Sequence, residues 1–146
     1  MKKERPTRAA FRKFYPVQTR WRDNDAYGHI NNVVYYEYFD TAVNMWLVEN
    51  DILDIEKSPV ISLVIETGCT YFESAAYPEA LEAGIAVDRI GTSSIIYATG
   101  IFRHKVDQAL CIGRFVHVTV DRATQRPVPI PDDMRAKLGS LLRPNT

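Results

Sequence analysis

A long segment without glycine or proline most constrains how this chain can fold. Residues 32–50 contain neither residue, and apolar side chains recur there at helical spacing. These side chains are Tyr35, Phe39, Ala42, Val43 and Trp46. Only a thin polar stripe interrupts the apolar surface, and a helix that is apolar nearly all round is usually buried on several sides. The pattern therefore predicts a central helix, roughly 27 Å long, enclosed by the rest of the chain.

The rest of the chain has the pattern of strands. Runs rich in β-branched and aromatic residues cover 15–21, 59–72, 80–90, 94–103 and 110–120. Turn residues at 91–93 and 106–108 indicate reversals, which predicts an antiparallel meander. A short terminal helix is expected over 132–142, after three closely spaced prolines. One long helix with about five antiparallel strands predicts an α+β fold in which the sheet wraps around the helix.

Composition limits the domain organisation and the partners. A chain of 146 residues is expected to form one domain, over 14–146, preceded by a flexible basic arm over 1–13. The formal net charge of zero argues against nucleic acid as the main partner, and no apolar run is long enough to predict a membrane span. Cys69 and Cys111 lack metal-ligand spacing and are expected to be reduced, buried thiols of a cytoplasmic protein.

Ten residues directly before the predicted helix carry the chemistry. Residues 23–32 contain two carboxylates, Asp23 and Asp25, together with His29 and two amides that are good helix N-caps, Asn31 and Asn32. A helix N-terminus presents unpaired N–H groups there. Such a site suits a reaction in which a carbonyl oxygen gains negative charge while a carboxylate attacks or activates water. Asp23, close to Arg20 and Arg22, is expected to form an ion pair that fixes the loop.

Several segments together resemble a known family. The segments are Arg20–Asp25, Gly28–Asn32, Tyr35–Asp40, Ile65–Gly68, Tyr71, Arg89–Ser94 and Pro129–Pro131. They are similar to the hotdog-fold acyl-CoA thioesterases of the 4-hydroxybenzoyl-CoA thioesterase-like type, over roughly residues 14 to 142. The resemblance implies a hotdog fold, in which an antiparallel sheet wraps around a long central helix. It also implies a homodimer or homotetramer with each active site at a subunit interface, and no metal or redox cofactor.

The resemblance assigns roles to individual residues. The second acid of the Asp-x-Asp pair is the family's catalytic carboxylate, so Asp25 is expected to act as nucleophile or as general base. The backbone N–H of Asn32 is the expected oxyanion donor. Arg89, Thr92 and Ser93 match the turn that meets the coenzyme A moiety in related proteins, although an ordinary hairpin explains them nearly as well. Glu66 and Thr67 are the predicted contribution of the second subunit.

One part of the motif departs from the simplest family pattern. The His-x-Asn-Asn form resembles fatty-acyl thioesterases, including plant enzymes that act on acyl-carrier protein, but those enzymes have an Asn two residues after the catalytic Asp, where this chain has Tyr27. His29 therefore has two open roles, to support catalysis or to tie down the loop. His104 and His117 lie in strand patterns and are expected to be surface or core residues.

Other chemistries fit the sequence less well. No zinc spacing, serine-hydrolase elbow or dinucleotide-binding glycine motif is present. The sequence therefore predicts an acyl-CoA thioesterase, which releases a free acid and coenzyme A. Two alternatives stay open: a non-catalytic acyl-CoA-binding module, and a hotdog hydratase acting on an enoyl thioester.

Overall fold

A computed structural model describes residues 4–143. The strands are β1 (Lys13–Gln18), β2 (Val60–Tyr71), β3 (Ala80–Ile90), β4 (Ser94–Arg103) and β5 (Ala109–Asp121). The helices are α1 (Val34–Glu49), between β1 and β2, and α2 (Asp132–Leu138), after β5. The five predicted strands and both predicted helices are thus present. Among the strands the largest shift is in β1, which ends at Gln18 because a 3₁₀ turn follows at Trp21–Asp23, and α2 ends at Leu138, four residues before the predicted end.

The strands form one antiparallel sheet in the order β1-β3-β4-β5-β2. Consecutive pairing of β3, β4 and β5 confirms the predicted meander. β2 instead pairs with β5, so β1 and β2 are the two edge strands. The predicted α+β arrangement of about five antiparallel strands and a long helix is therefore confirmed.

The main core lies between α1 and the inner face of the sheet. Ile95, Tyr97 and Ile101 of β4 are fully buried in it, as is Phe39 of α1. The helix approaches the sheet closely at Gly113, where an added Cβ would lie 2.5 Å from the Phe39 ring. A side chain at this position would therefore push α1 away from β5.

The helix differs from its prediction in two respects. It is buried on one side rather than on several, because Met45 and Val48 are 44% and 42% exposed. It also begins at Val34 rather than at Asn32. The Asn31 side chain accepts a bond from the Val33 N–H at 3.1 Å, and this forms a turn that precedes the helix instead of capping its first turn.

Residues 4–13 of the segment predicted to be a flexible arm pack against the sheet, and residues 1–3 lie outside the described part. Phe11 is only 6% exposed and packs with Ala98 and Phe102 in a second, smaller core on the outer face of the sheet. Arg5 donates from Nη2 to the Glu73 carboxylate at 2.6 Å. An aromatic anchor with ion pairs therefore holds this basic segment against the sheet.

Cys69 and Cys111 form no disulfide within residues 4–143; Cys111 is buried, as predicted, whereas Cys69 is half-buried. Within residues 4–143, no helix combines the length and the apolar character that crossing a membrane requires.

His117 on β5 is a core residue, whereas the side chain of His104 is 58% exposed. Both ring nitrogens of His117 lack a hydrogen-bond partner among the described residues. Burial lowers the pKa of His117 from 6.5 to about 4. Between these two pH values, unfolded chains bind a proton at His117 that folded chains do not, so stability falls as the pH falls from 6.5 towards 4.

Replacing His117 by Leu is expected to flatten this pH dependence. The slope attributable to His117 has an upper limit of about 1.4 kcal/mol per pH unit. Urea denaturation of wild type and His117→Leu between pH 7.5 and pH 4.5 measures it, with His104→Leu as the exposed control. Parallel stability curves for wild type and His117→Leu would contradict the prediction.

Candidate active site

The loop before α1 doubles back on itself. The Asp25 N–H donates to the His29 carbonyl at 2.8 Å, and the Gly28 N–H donates to the Asp25 carbonyl at 3.1 Å. Gly28 has a φ of 78°, a left-handed conformation that glycine adopts without steric cost. The turn therefore brings Asp25 and His29 side by side.

The Asp25 carboxylate is half-buried and is oriented by backbone groups of its own loop. Its Oδ1 accepts the Tyr27 N–H at 2.8 Å and the His29 N–H at 3.4 Å. No other hydrogen bond within residues 4–143 reaches this carboxylate, and none joins it to the His29 ring. Oδ2 is therefore available to a substrate carbon or a water molecule.

The N–H of Asn32 is unpaired at the entrance to α1. Both neighbouring N–H groups are bonded: Asn31 donates to the Asp23 carbonyl at 2.8 Å, and Val33 donates to the Asn31 side chain. Asn32 itself donates to no acceptor in the described part of the chain. Because the positive end of the helix dipole lies at this end of α1, the free N–H suits an oxygen that carries negative charge.

One cavity of about 460 Å³ brings the three predicted catalytic residues together. Asp25, His29 and Asn32 all line it. The other lining residues are Tyr27, Ile30, Tyr35, Tyr71, Phe72, Glu73 and Ser74. Sequence reasoning missed Glu73 and Ser74, which follow β2 about forty positions after the motif and carry no recognisable spacing to it.

Glu73 and Ser74 belong to a wall, residues 72–79, that is tied to the loop and to the sheet. The Ile30 N–H donates to the Ala75 carbonyl at 2.8 Å. Arg103 donates to the Glu73 carboxylate at 2.7 Å and to the Ser74 carbonyl at 2.7 Å. The guanidinium groups of Arg5 and then Arg103 lower the pKa of Glu73. Glu73 is therefore an anchor of the wall and already has two cationic partners.

Asp23 is structural, as predicted. It is 1% exposed, and its carboxylate accepts bonds from the Arg20 backbone N–H at 2.9 Å, the Arg20 Nε at 3.0 Å and the Tyr38 hydroxyl at 2.7 Å. Burial opposes the charged form, but the hydrogen bonds from Tyr38 and Arg20 outweigh it and lower the pKa of Asp23. Of the two predicted arginine partners, only Arg20 forms the ion pair within the described residues.

The residues predicted to contact coenzyme A do not line this cavity in the same protomer. Arg89, Thr92 and Ser93 lie at the β3–β4 turn, the opposite end of strands that span roughly 33 Å. The carbonyl groups of Thr92 and Ser93 accept bonds from the Ile130 and Thr119 N–H groups. The Arg89 side chain is exposed and makes no hydrogen bond or ion pair with residues 4–143.

The two residues predicted for the second subunit lie outside the cavity as well. Glu66 and Thr67 are exposed on edge strand β2, and Glu66 pairs with Arg114 at 2.5 Å. As for metals, no group of three or more His, Cys, Asp or Glu side chains in the described residues is arranged to hold an ion.

Several solved structures resemble the chain. The PA5185 protein from Pseudomonas aeruginosa is 47% identical, with a TM-score of 0.92 over 95% of this chain and 97% of that one. A predicted thioesterase from Bacillus stearothermophilus is 25% identical, with a TM-score of 0.78 over 91% of this chain and 98% of that one. A Thermus thermophilus thioesterase complexed with coenzyme A and Zn is 24% identical, with a TM-score of 0.77 over 92% and 98% of the two chains. At that identity, the last similarity concerns the fold alone.

A search of curated proteins gives no significant match. The sequence model of the thioesterase-like superfamily matches residues 19–138, which include the whole loop, α1 and all strands but β1. The predicted resemblance to hotdog thioesterases, and with it the class of thioester hydrolase, is confirmed at the level of the family. The chain belongs to the thioesterase-like superfamily.

Proposed function

We propose that this protein is an acyl-CoA thioesterase, which hydrolyses the thioester of an acyl-CoA to the free acid and coenzyme A. Asp25 serves as nucleophile or general base, and the Asn32 N–H is the oxyanion donor. One observation carries the proposal: an open carboxylate oxygen and an unpaired N–H at a helix N-terminus line the same cavity. A binding module needs neither group in this arrangement.

Two routes use the same atoms. In the first, Asp25 Oδ2 removes a proton from water while the water oxygen bonds to the thioester carbon. In the second, Oδ2 bonds to that carbon directly, the thiolate leaves, and water hydrolyses the resulting anhydride. In both routes the carbonyl oxygen becomes negative and bonds to the Asn32 N–H before the C–S bond breaks. The thiolate takes its proton from protonated Asp25 in the first route, and from the water that hydrolyses the anhydride in the second.

His29 lines the cavity and contacts Asp25 through backbone atoms. A hydratase needs an Asp–His pair placed to deliver water to an alkene, and no hydrogen bond joins these two side chains within residues 4–143. The proposal therefore gives His29 the role of holding the loop, with its ring available to order a water molecule in the cavity.

We propose coenzyme A as the carrier, in a cytoplasmic protein. The T. thermophilus thioesterase that shares this fold is complexed with coenzyme A. The guanidinium of Arg89, which has no partner among residues 4–143, lies beside a hydroxyl-rich turn and suits a phosphate group. Since this turn lies far from the cavity of its own protomer, it would serve the active site of a second copy.

We propose a homodimer formed at the β2 edge of the sheet. Leu63, Val64 and Ile65 of this edge strand are 37%, 44% and 61% exposed. A long apolar edge with unpaired backbone groups readily pairs with another strand. Glu66 and Thr67 lie on the same edge, so pairing would also bring them to a second protomer.

A charge on this edge is expected to separate the protomers. Ile65→Lys should shift the molecular mass from dimer to protomer in light scattering, because lysine on an edge strand opposes strand pairing. Val106→Lys, at a 42% exposed position in the β4–β5 loop, is the matched control. A wild type that is monomeric at all concentrations, or an Ile65→Lys protein that stays dimeric, would contradict the proposal.

A panel of substrates tests the proposed activity. Purified protein is incubated with short, medium and long acyl-CoAs, an aromatic acyl-CoA and an enoyl-CoA, and free thiol is followed with a thiol reagent. We expect thiol release from at least one saturated or aromatic member. Binding without thiol release from any member would identify a binding module, and loss of the enoyl group without thiol release would identify a hydratase.

A further inference from the structure

Tyr71, the last residue of β2, contacts the oxyanion turn directly. Its hydroxyl donates to the Asn32 carbonyl at 2.6 Å. Every other hydrogen bond to residues 31–33 within the described chain comes from the loop or from α1. Tyr71 is therefore the one side chain of the sheet that bonds this turn.

The Tyr71 hydrogen bond fixes the carbonyl of Asn32, the same residue whose N–H is unpaired. The Asn32 N–H precedes the Asn32 Cα, and the Asn32 carbonyl follows it, so the two peptide planes are linked through that one residue. On the other side of the free N–H, the Asn31 carbonyl accepts the Val34 N–H at 2.9 Å. With both flanking carbonyls bonded, the direction of the Asn32 N–H is determined.

The Tyr71 side chain is itself held in place by packing against other tyrosine rings. Its ring meets the Tyr35 ring edge-on at 5.4 Å, and Tyr35 meets Tyr38 at 5.9 Å. The Tyr38 hydroxyl donates to Asp23, whose carbonyl accepts the Asn31 N–H. Three tyrosines and Asp23 thus connect β2, α1 and the loop around the oxyanion turn.

We propose that Tyr71 is a positioning residue for thioester hydrolysis, whose hydroxyl holds the Asn32 peptide so that its N–H points at the developing oxyanion. The inference rests on the proposed function. An oxyanion donor is effective because it needs no reorganisation when charge develops, and a donor that is free to turn loses this advantage. The effect belongs to the transition state, so substrate binding is unaffected.

The test is Tyr71→Phe, which removes the hydroxyl and keeps the ring packed on Tyr35. We expect kcat to fall roughly two- to tenfold, which is the usual contribution of a hydrogen bond of this kind. KM, and the Kd of a non-hydrolysable thioether analogue of acyl-CoA, should stay within about twofold of wild type because a ground-state ligand does not need the aligned donor. Steady-state kinetics and calorimetry measure these quantities.

Tyr97→Phe is the matched control. Tyr97 is fully buried, and its hydroxyl has no hydrogen-bond partner in the described structure, so its removal should leave kcat unchanged. Wild-type kcat in Tyr71→Phe would overturn the inference while leaving the proposed function intact. A rise in KM and analogue Kd together with the fall in kcat would also overturn it, by showing a general structural role. A wild type that releases no thiol would overturn both.

Discussion

Asp25→Asn is expected to lower kcat for acyl-CoA hydrolysis by about 10²- to 10⁴-fold, the usual contribution of a positioned acid–base group. The amide oxygen can still accept the Tyr27 N–H that Oδ1 accepts at 2.8 Å, so the loop keeps its shape. The amide can neither attack a thioester nor take a proton from water. KM should therefore change little while kcat falls.

Asp107→Asn makes the same chemical change at an exposed position on the β4–β5 loop and should retain wild-type kcat. The assay is thiol release from the best substrate of the panel, with a melting curve for each variant. Equal rates for wild type and Asp25→Asn would remove Asp25 from the mechanism. The hydrolysis would then have to start from another group in the cavity.

Asp23→Ala is expected to lower the free energy of unfolding by about 3 kcal/mol. Removing one partner of a buried ion pair typically costs about 3–5 kcal/mol. The lower end applies because the Arg20 side chain is 37% exposed and regains water, whereas the Tyr38 hydroxyl is left buried without its acceptor. Urea denaturation at pH 7 measures the loss, and Asp107→Ala is the exposed control.

The pH dependence of stability provides a second test of the predicted effect of Asp23→Ala. Hydrogen bonds lower the pKa of folded Asp23 below its ordinary value of 3.8. Its stabilisation is therefore complete above that value and is lost as the pH falls through the folded pKa. The difference in stability between wild type and Asp23→Ala should shrink in acid. A difference that is equally large at pH 7 and in acid would show that lost packing, rather than the ion pair, destabilises the variant.

The elements were predictable because their patterns are local. The periodicity of residues 32–50 predicted α1 to within two positions, and the strand boundaries agree within about three. The exceptions depend on specific contacts that the hydrophobic periodicity does not show. Helix α1 begins after Asn32 because the Asn31 side chain closes a turn, and residues 4–13 lie against the sheet because Phe11 packs in a second core on its outer face.

The residues of the candidate site also differ in whether the sequence alone could predict them. Asp25, His29 and Asn32 stand within eight positions, so their motif is visible in the sequence and one cavity contains all three. Glu73 and Ser74 come from a distant segment. Their spacing in the sequence does not indicate that Arg103 binds them and holds this wall beside the loop.

Neighbouring positions in the chain specify the periodic elements, the acid and the start of the helix, because hydrophobic period, turn residues and a ten-residue motif are local properties. Which polar groups remain available to react depends on the three-dimensional packing. The pairing of β2 with β5 places Tyr71 next to the Asn32 carbonyl. Hydrogen bonds with Arg20 and Tyr38 occupy the Asp23 carboxylate, which is therefore structural. Whether a polar group is occupied or available depends on partners that folding brings from elsewhere in the chain, and the residues next to it in sequence do not specify them.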